Sequence, residues 1–526
     1  MKKLILLSLL VITAGCTTAP SPNANTTPGG SPPPAAAAPV PYSITLTGFS
    51  INGFPGVHSA VVAGAPDRLV VFGGRRNGLH GFPGGHDAAK GPAFPKTEAN
   101  DTIYVLNLVT KQLLGSASVN SLPKPFANQL KATNLQYEVF NNWLYVMGGY
   151  GEDPQKGTLT TLAYMTAIDF PALTDAVISG KPLDPAFAAA TMVQFQHPAL
   201  AITGGDLELL PDGAGGMLFV LAFGQQYDGE YTPGGGLVNQ NYADGVRVFK
   251  FQYAGTNPKP TGITFVASVP NPPGTQMDPE NQFHRRDLTM KASVDAAGNR
   301  RLVAYGGVFK GGRFEGFLNP VFVAPVPNPS PGASPVTVIA NTQTSQLMSQ
   351  YDTAAIQLYD SSSKIVYTTF LGGISYYYWD GTSLKHDPMD IPQGVDGLPF
   401  ILSISTLNMP TSTDTGTQYL HLGQAFPPTQ NIQQCPSSSG PVNAPLGGTE
   451  TKFVIASNVQ QVTPGVITLN SLTGTPDIGY LVGGIAATQP YSARGGTCAA
   501  NMLYKVTINP TQPTTNIVQL QAPPPQ

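Results

Sequence analysis

The chain is short of charge: 27 Lys and Arg against 30 Asp and Glu in 526 residues leave a net of −3. So sparse and balanced a set offers neither a basic face for nucleic acid nor an acidic one for a basic partner. Lys and Glu are scarce beside 58 Gly and 51 Pro, a composition that disfavours helices and suits short strands joined by many turns. No G-x-S-x-G nucleophile, P-loop or H-E-x-x-H motif occurs, which removes the commonest routes to hydrolysis, nucleotide binding and zinc proteolysis. Cysteine appears three times and tryptophan twice. The apolar run at residues 4–12 is far too short to span a bilayer.

That run follows Lys2 and Lys3 and leads into Thr13-Ala14-Gly15-Cys16, the layout of a secretory signal. Small residues directly before a cysteine resemble the lipobox of bacterial lipoproteins, in which the chain is cut before the Cys and the Cys is acylated. Thr13 stands where that family usually has Leu. The resemblance implies a signal at 1–15, a lipidated Cys16 and anchorage to a membrane without spanning it. Thr17, in place of the Asp that retains such proteins at the inner membrane, implies the outer membrane of a bacterial envelope. Residues 16–41 are rich in Thr, Pro, Ala, Ser and Gly and carry no charge, so they read as a tether too poor in apolar surface to fold. Cys435 and Cys498 remain, in a compartment that permits disulfides. They lie twelve residues after Gly423 and fourteen after Gly484, in equivalent loops of adjacent repeats, and are expected to pair.

What the chain has in quantity is a repeat. Seven short apolar runs end in glycine, at residues 70–74, 145–149, 220–224, 303–307, 369–373, 419–423 and 480–484. Each follows another apolar stretch and a polar turn, as in 290–294, Asp295-Ala296-Ala297-Gly298-Asn299 and 302–305, the pattern of a hairpin. A variable loop follows, then a third and usually a fourth strand. Seven units of four antiparallel strands, about 69 residues each over 42–526, describe the blades of a β-propeller sharing one core. Residues 43–49 are an orphan strand expected to complete the blade holding 503–508, with 516–520 competing for that place.

His58-Ser59-Ala60-Val61 ahead of Leu69-Val70-Val71-Phe72-Gly73-Gly74 resembles a kelch repeat, and weaker copies extend over nearly all of 42–523. The kelch tryptophan of the fourth strand is missing, since Trp143 precedes a glycine pair and Trp379 lies in an expected third strand. Repeats three and six keep one glycine of the pair. The resemblance implies an all-β, seven-bladed propeller over 42–523 with a short tail at 524–526, six blades being the alternative.

Long loops then share one face, and the candidate binding residues sit there. Arg75, Arg76, His80, His86 and Asp87 form a polar loop whose spacing matches no metal motif. His284, Arg285 and Arg286 precede a first strand, where arginine forks can bind carboxylates or, alternatively, pair with Asp287 and cap loop carbonyls. Arg313, Glu315 and Arg494 complete the mouth. Tyr376-Tyr377-Tyr378-Trp379 offers aromatic faces, although strand alternation favours packing for part of it. The expectation is an envelope-anchored module that binds a protein or a glycan, with no metal or cofactor. A carbohydrate-active enzyme similar to the sialic-acid epimerases of the kelch class is the alternative, whereas the copper chemistry of galactose oxidase is disfavoured because no adjacent Tyr-His pair occurs. Replacing Cys16 with Ala should move the protein from the membrane pellet to the soluble fraction; continued tight membrane association would reject the lipid anchor.

Overall fold

The polar turns do their expected work. Across Asp295–Asn299, strands Arg286–Val294 and Arg300–Val308 pair antiparallel, and the Asp295 carboxylate accepts from the N–H groups of Ala297 and Asn299 at 2.9 and 2.8 Å. This side-chain mimicry of a turn ties down the hairpin end. A computed structural model of the chain describes residues 39–80, 92–231, 239–271, 275, 277–386, 398–432, 440–491 and 496–522.

The architecture is all-β and propeller-like. Six antiparallel sheets follow the repeat among the described residues. Sheet one holds Val61–Ala63, Leu69–Phe72, Thr102–Asn107 and Gln112–Ser118; sheet two holds Gln136–Phe140, Trp143–Met147, Tyr164–Asp169 and Met192–Gln196. Sheet three runs Asp206–Pro211, Met217–Ala222, Gly245–Tyr253 and Pro260–Pro270, and sheet four Arg286–Val294, Arg300–Val308, Val321–Pro325 and Val336–Ala340. Sheet five starts Ala355–Asp360, Ile365–Ile374, Phe400–Pro410 and Thr417–Ala425, and sheet six Lys452–Ile455, Asp477–Val482 and Met502–Asn509. Ser43–Ser50 completes sheet six from the opposite end of the chain, Ser43 facing Asn509 and Ser50 facing Met502. The competing segment, Ile517–Gln519, becomes a fifth strand on the outer edge of sheet five.

The sixth glycine run corrects the register read from sequence. Tyr419 to Gly423 lies in the fourth strand of sheet five, paired with Phe400–Pro410, and heads no sheet of its own. The reason lies in what the glycines do. In five repeats the second glycine donates its N–H to a carbonyl leading into the next sheet: Gly74 to Ala132, Gly149 to Ile202, Gly224 to Arg285, Gly307 to Gln350 and Gly484 to Val57, all within 2.7 to 3.1 Å. All five have φ between 75° and 105°, where side chains are strained, and a Cβ at Gly74 would lie 2.1 Å from the His58 carbonyl oxygen. Gly423 has positive φ too, but its nearest neighbour would be the Asn516 amide at 3.8 Å. It lies within the fourth strand of sheet five, two residues short of its end, at no junction between sheets.

Loops expected to be irregular are partly ordered into small sheets. Tyr150–Glu152, Leu159–Thr161, Gln225–Asp228 and Asn239–Tyr242 form one; Leu446–Thr449, Ile485–Ala487 and Thr497–Ala499 form another. Tyr377 is buried in the hairpin of Tyr377–Trp379 with Leu384–His386, and its neighbours Tyr376, Tyr378 and Trp379 pack against the same apolar cluster. Three short helices, Lys124–Leu130, Phe170–Ile178 and Pro185–Thr191, lie in sheets one and two or their connections, and no described helix is long and apolar enough to cross a membrane.

Gly74→Ala should cost about 3 kcal/mol or more, combining strain with a backbone clash, whereas Gly423→Ala, which meets the positive φ alone, should cost about 1 to 2 kcal/mol. Urea unfolding of the two variants measures the difference, and equal losses would contradict the distinction between ring and outer glycines.

Candidate functional site

Where each inner strand begins, the chain turns through a polar or small residue: Ser59, Asn134, Gly204, Asp287, Asp352 and Glu450. These six occupy equivalent positions and are strung together. Asn134 N–H donates to the Ser59 carbonyl, Asp287 to Gly204, Asp352 to Asp287 and Glu450 to Asp352, at 2.6 to 3.0 Å. The Thr203 hydroxyl reaches the Asn134 carbonyl at 3.4 Å, and the Ser59 hydroxyl donates to the Glu450 carboxylate. All but Asp352 have positive φ, so the belt holds five residues in the left-handed region.

Inside the belt lies a cavity of about 400 Å³ to which all six sheets contribute. Six carboxylates line it, from Glu138, Asp206, Glu208, Asp287, Asp352 and Glu450, against two lysines, Lys291 and Lys452. At the belt end, Glu450 Oε2 receives His58 Nδ1 at 2.9 Å, and Tyr351 donates its hydroxyl to Oε1 at 3.3 Å. Among the described residues His58 Nε2 is buried without a hydrogen-bond partner. Burial pushes the Glu450 carboxyl up, but the hydrogen bonds of His58 and Ser59 and the charge of Lys452 outweigh it and hold the group at about 2. Asp287 behaves oppositely. Burial, with Glu450 and Asp352 nearby, lifts it to about 7 despite Arg286 Nη1 at 3.2 Å. Two neighbouring carboxyls are thus driven apart, one a permanent anion and one poised to carry a proton near neutrality. Lys452 pairs with Asp352 at 2.7 Å and stays firmly charged.

At the far end, the channel walls desolvate Glu138 and its neighbour Glu208 repels it, pushing it up to about 8. Glu208 is raised by burial as well, although Arg300 lies 2.9 Å away.

The residues singled out in the sequence fall in different places. Arg285 is fully buried and structural: its guanidinium donates to the carbonyls of Gln282, Gly306 and Asn319. Arg286 reaches the belt end, bonding Tyr242 Oη at 3.2 Å and stacking on Phe309 at 4.2 Å. His284 stacks on the same Tyr242 and pairs with Asp244 at 2.6 Å. Arg75 donates to Asn77 and the Pro95 carbonyl, Arg76 to the Thr97 carbonyl, and His80 packs on Phe94 and Tyr231. Arg313 is exposed and bound to Glu315 and Glu280, away from the cavity. His86, Asp87, Arg494, Cys16 and Cys435 lie outside the described residues; Cys498 is disulfide-bonded. Among the described residues no group of three or more His, Cys, Asp or Glu side chains is placed to hold a metal ion.

Sequence reading missed His58, Ser59, Tyr351, Asp352, Glu450, Lys452 and the Glu138 pair as site residues. The available signal was positional, a polar residue just before each first strand, and misplacing the sixth repeat hid it for Glu450.

No family model matches the chain, and no curated protein does. A solved structure described as that of YjhT is similar over 88% of this chain and 99% of its own, at 10% identity and a TM-score of 0.39.

Unfolding returns Glu138 to its ordinary range near 4.5, so between there and about 8 the folded chain binds the extra proton and stability falls as pH rises. The thermal midpoint should therefore drop as pH rises from about 4.5 to about 8 and level off above it, and Glu138→Gln, which mimics the protonated group, should flatten that drop. An unchanged slope in a circular-dichroism melt series would remove Glu138 as its source.

Proposed function

We propose that the chain is a six-bladed, kelch-like propeller, anchored through a lipidated Cys16 to the outer membrane, that binds a glycan at the belt end of its channel. Support for six blades comes from the six inner strands meeting around one cavity, with Gly484 bonded to Val57 where the last sheet meets the first. Pairing of Cys435 with Cys498 belongs to the same reading.

One observation carries the ligand assignment. Ser59, Asp287, Asp352, Glu450 and Lys452 converge on one cavity, backed by His58, Arg286 and Tyr351. A concave site of this volume suits a small polar ligand, not a flat protein surface. Closely spaced donors and acceptors match the alternating hydroxyls of a sugar. The oppositely perturbed Asp287 and Glu450 favour a second reading of the same site, acid–base chemistry on that sugar, with Asp287 donating a proton and Glu450 remaining an anion.

A glycan array probed with the full-length protein should identify a bound sugar. Glu450→Gln and Asp287→Asn should each weaken capture about tenfold or more, while Arg313→Ala leaves it unchanged. Binding that survives both channel substitutions would exclude this site.

A further inference from the structure

Directly outside the belt, where sheets one and two adjoin on the loop side, a second cavity of about 80 Å³ shares no lining residue with the channel. The backbone builds it. Arg75 follows the Gly73-Gly74 turn of sheet one, Thr133 stands one residue before the belt residue Asn134, and Thr133 and Tyr150 exchange both backbone hydrogen bonds at 2.9 and 2.8 Å. One wall is apolar, made by Phe94, Tyr150 and Leu159. The rings of Phe94 and Tyr150 meet edge to face at 5.1 Å, and the Arg75 guanidinium lies 5.1 Å over the face of Phe94. At about 10 to 15 Å³ for each water-sized group, the space takes roughly five to eight non-hydrogen groups.

The polar wall is unfinished. Thr133 is 4% exposed, its backbone groups are spent on Tyr150, and among the described residues its hydroxyl has no hydrogen-bond partner. A buried hydroxyl left in that state forfeits its hydration without return, so it calls for an acceptor from the cavity. Lys131 lines the same space and pairs with no carboxylate among the described residues; its ammonium reaches the Asn120 side-chain oxygen at 3.4 Å. Glu152 is the single carboxylate among the lining residues, and Lys96 neutralises it at 2.7 Å. An anion therefore meets no unpaired carboxylate here, and it finds an ammonium and a hydroxyl donor beside an aromatic surface.

We infer that this cavity is a second ligand site, for a small flat carboxylate of the aromatic-acid class. The carboxylate accepts from the Thr133 hydroxyl and takes the charge of Lys131, and the ring lies along Phe94, Tyr150 and Leu159. Three features set that class. The volume is too small for an oligosaccharide. The lining charge disfavours a cation and makes the carboxylate's hydrogen bonds charge-assisted, the stronger kind. The apolar wall gives nothing to a bare inorganic anion but buries the surface of a ring. No residue of this site belongs to the channel, so it stands or falls independently of the proposed glycan site.

The test titrates benzoate into the full-length protein by isothermal calorimetry, with benzamide as its uncharged counterpart and inorganic phosphate as a bare anion. Benzoate should bind about tenfold or more tightly than either. Lys131→Met should weaken benzoate about tenfold and Thr133→Val about fivefold, while Glu450→Gln in the channel leaves it unchanged. Thr133→Val separates a ligand donor from a structural hydroxyl. Exchanging an orphaned buried hydroxyl for a methyl of the same shape should raise the thermal midpoint of the ligand-free protein even as it weakens binding. A lowered midpoint would show that the hydroxyl is already satisfied and would overturn its role. No benzoate binding, equal affinity for benzamide or phosphate, or binding untouched by both substitutions would each overturn the site. Failure of the glycan array leaves these outcomes standing, so the two readings fail separately.

Discussion

A single backbone hydrogen bond, from the second glycine of a strand-ending pair to a carbonyl on the next sheet, organises the molecule. It satisfies an N–H that would otherwise be orphaned where the strand leaves its sheet, and it sets the distance between neighbouring sheets. Geometry restricts the donor to glycine, because φ is positive and a Cβ would run into backbone at Gly74 and Gly224 and into the side chains of Leu135, Arg285 and Thr451 at Gly149, Gly307 and Gly484. Sheet three shows the limit of that demand: Phe223 takes the first position at φ 56°, fully buried, while Gly224 keeps the second and makes the bond.

Joining sheets this way brings six strand starts to one level, and the polar chemistry follows from that crowding. Asp287, Asp352 and Glu450 hold adjacent places on the belt and cannot all be comfortable anions in a desolvated channel. Each is settled differently. Glu450 is satisfied by His58, Ser59 and Tyr351, Asp352 by Lys452, and Asp287 keeps an affinity for its proton in spite of Arg286. Functional asymmetry thus arises in a repeated scaffold from which side chain happens to stand beside each carboxylate.

Much of the fold was legible in the chain. Hairpins were readable from apolar runs flanking Asp-, Gly- and Asn-rich turns, and the pairing of 43–49 with 503–508 from its isolation ahead of the first repeat. The sixth run was not, because an apolar run ending in glycine looks the same whether the glycine joins two sheets or sits inside a fourth strand. Gly423 carries the local conformation without the neighbour. The site was less legible. Arg285 and Arg286 are adjacent in sequence and look interchangeable, yet opposite faces of an extended backbone send one into loop carbonyls and the other to the belt.

By itself the sequence determined the local alphabet: strands over helices, where turns fall, which glycines tolerate φ beyond the reach of other residues, and a weakly charged surface. These depend on short-range sterics and composition. Only the tertiary structure decided how many repeats head a sheet and which polar residues share a cavity. Those outcomes depend on contacts between residues as far apart as His58 and Glu450, 392 positions along the chain, and on desolvation that no local pattern encodes.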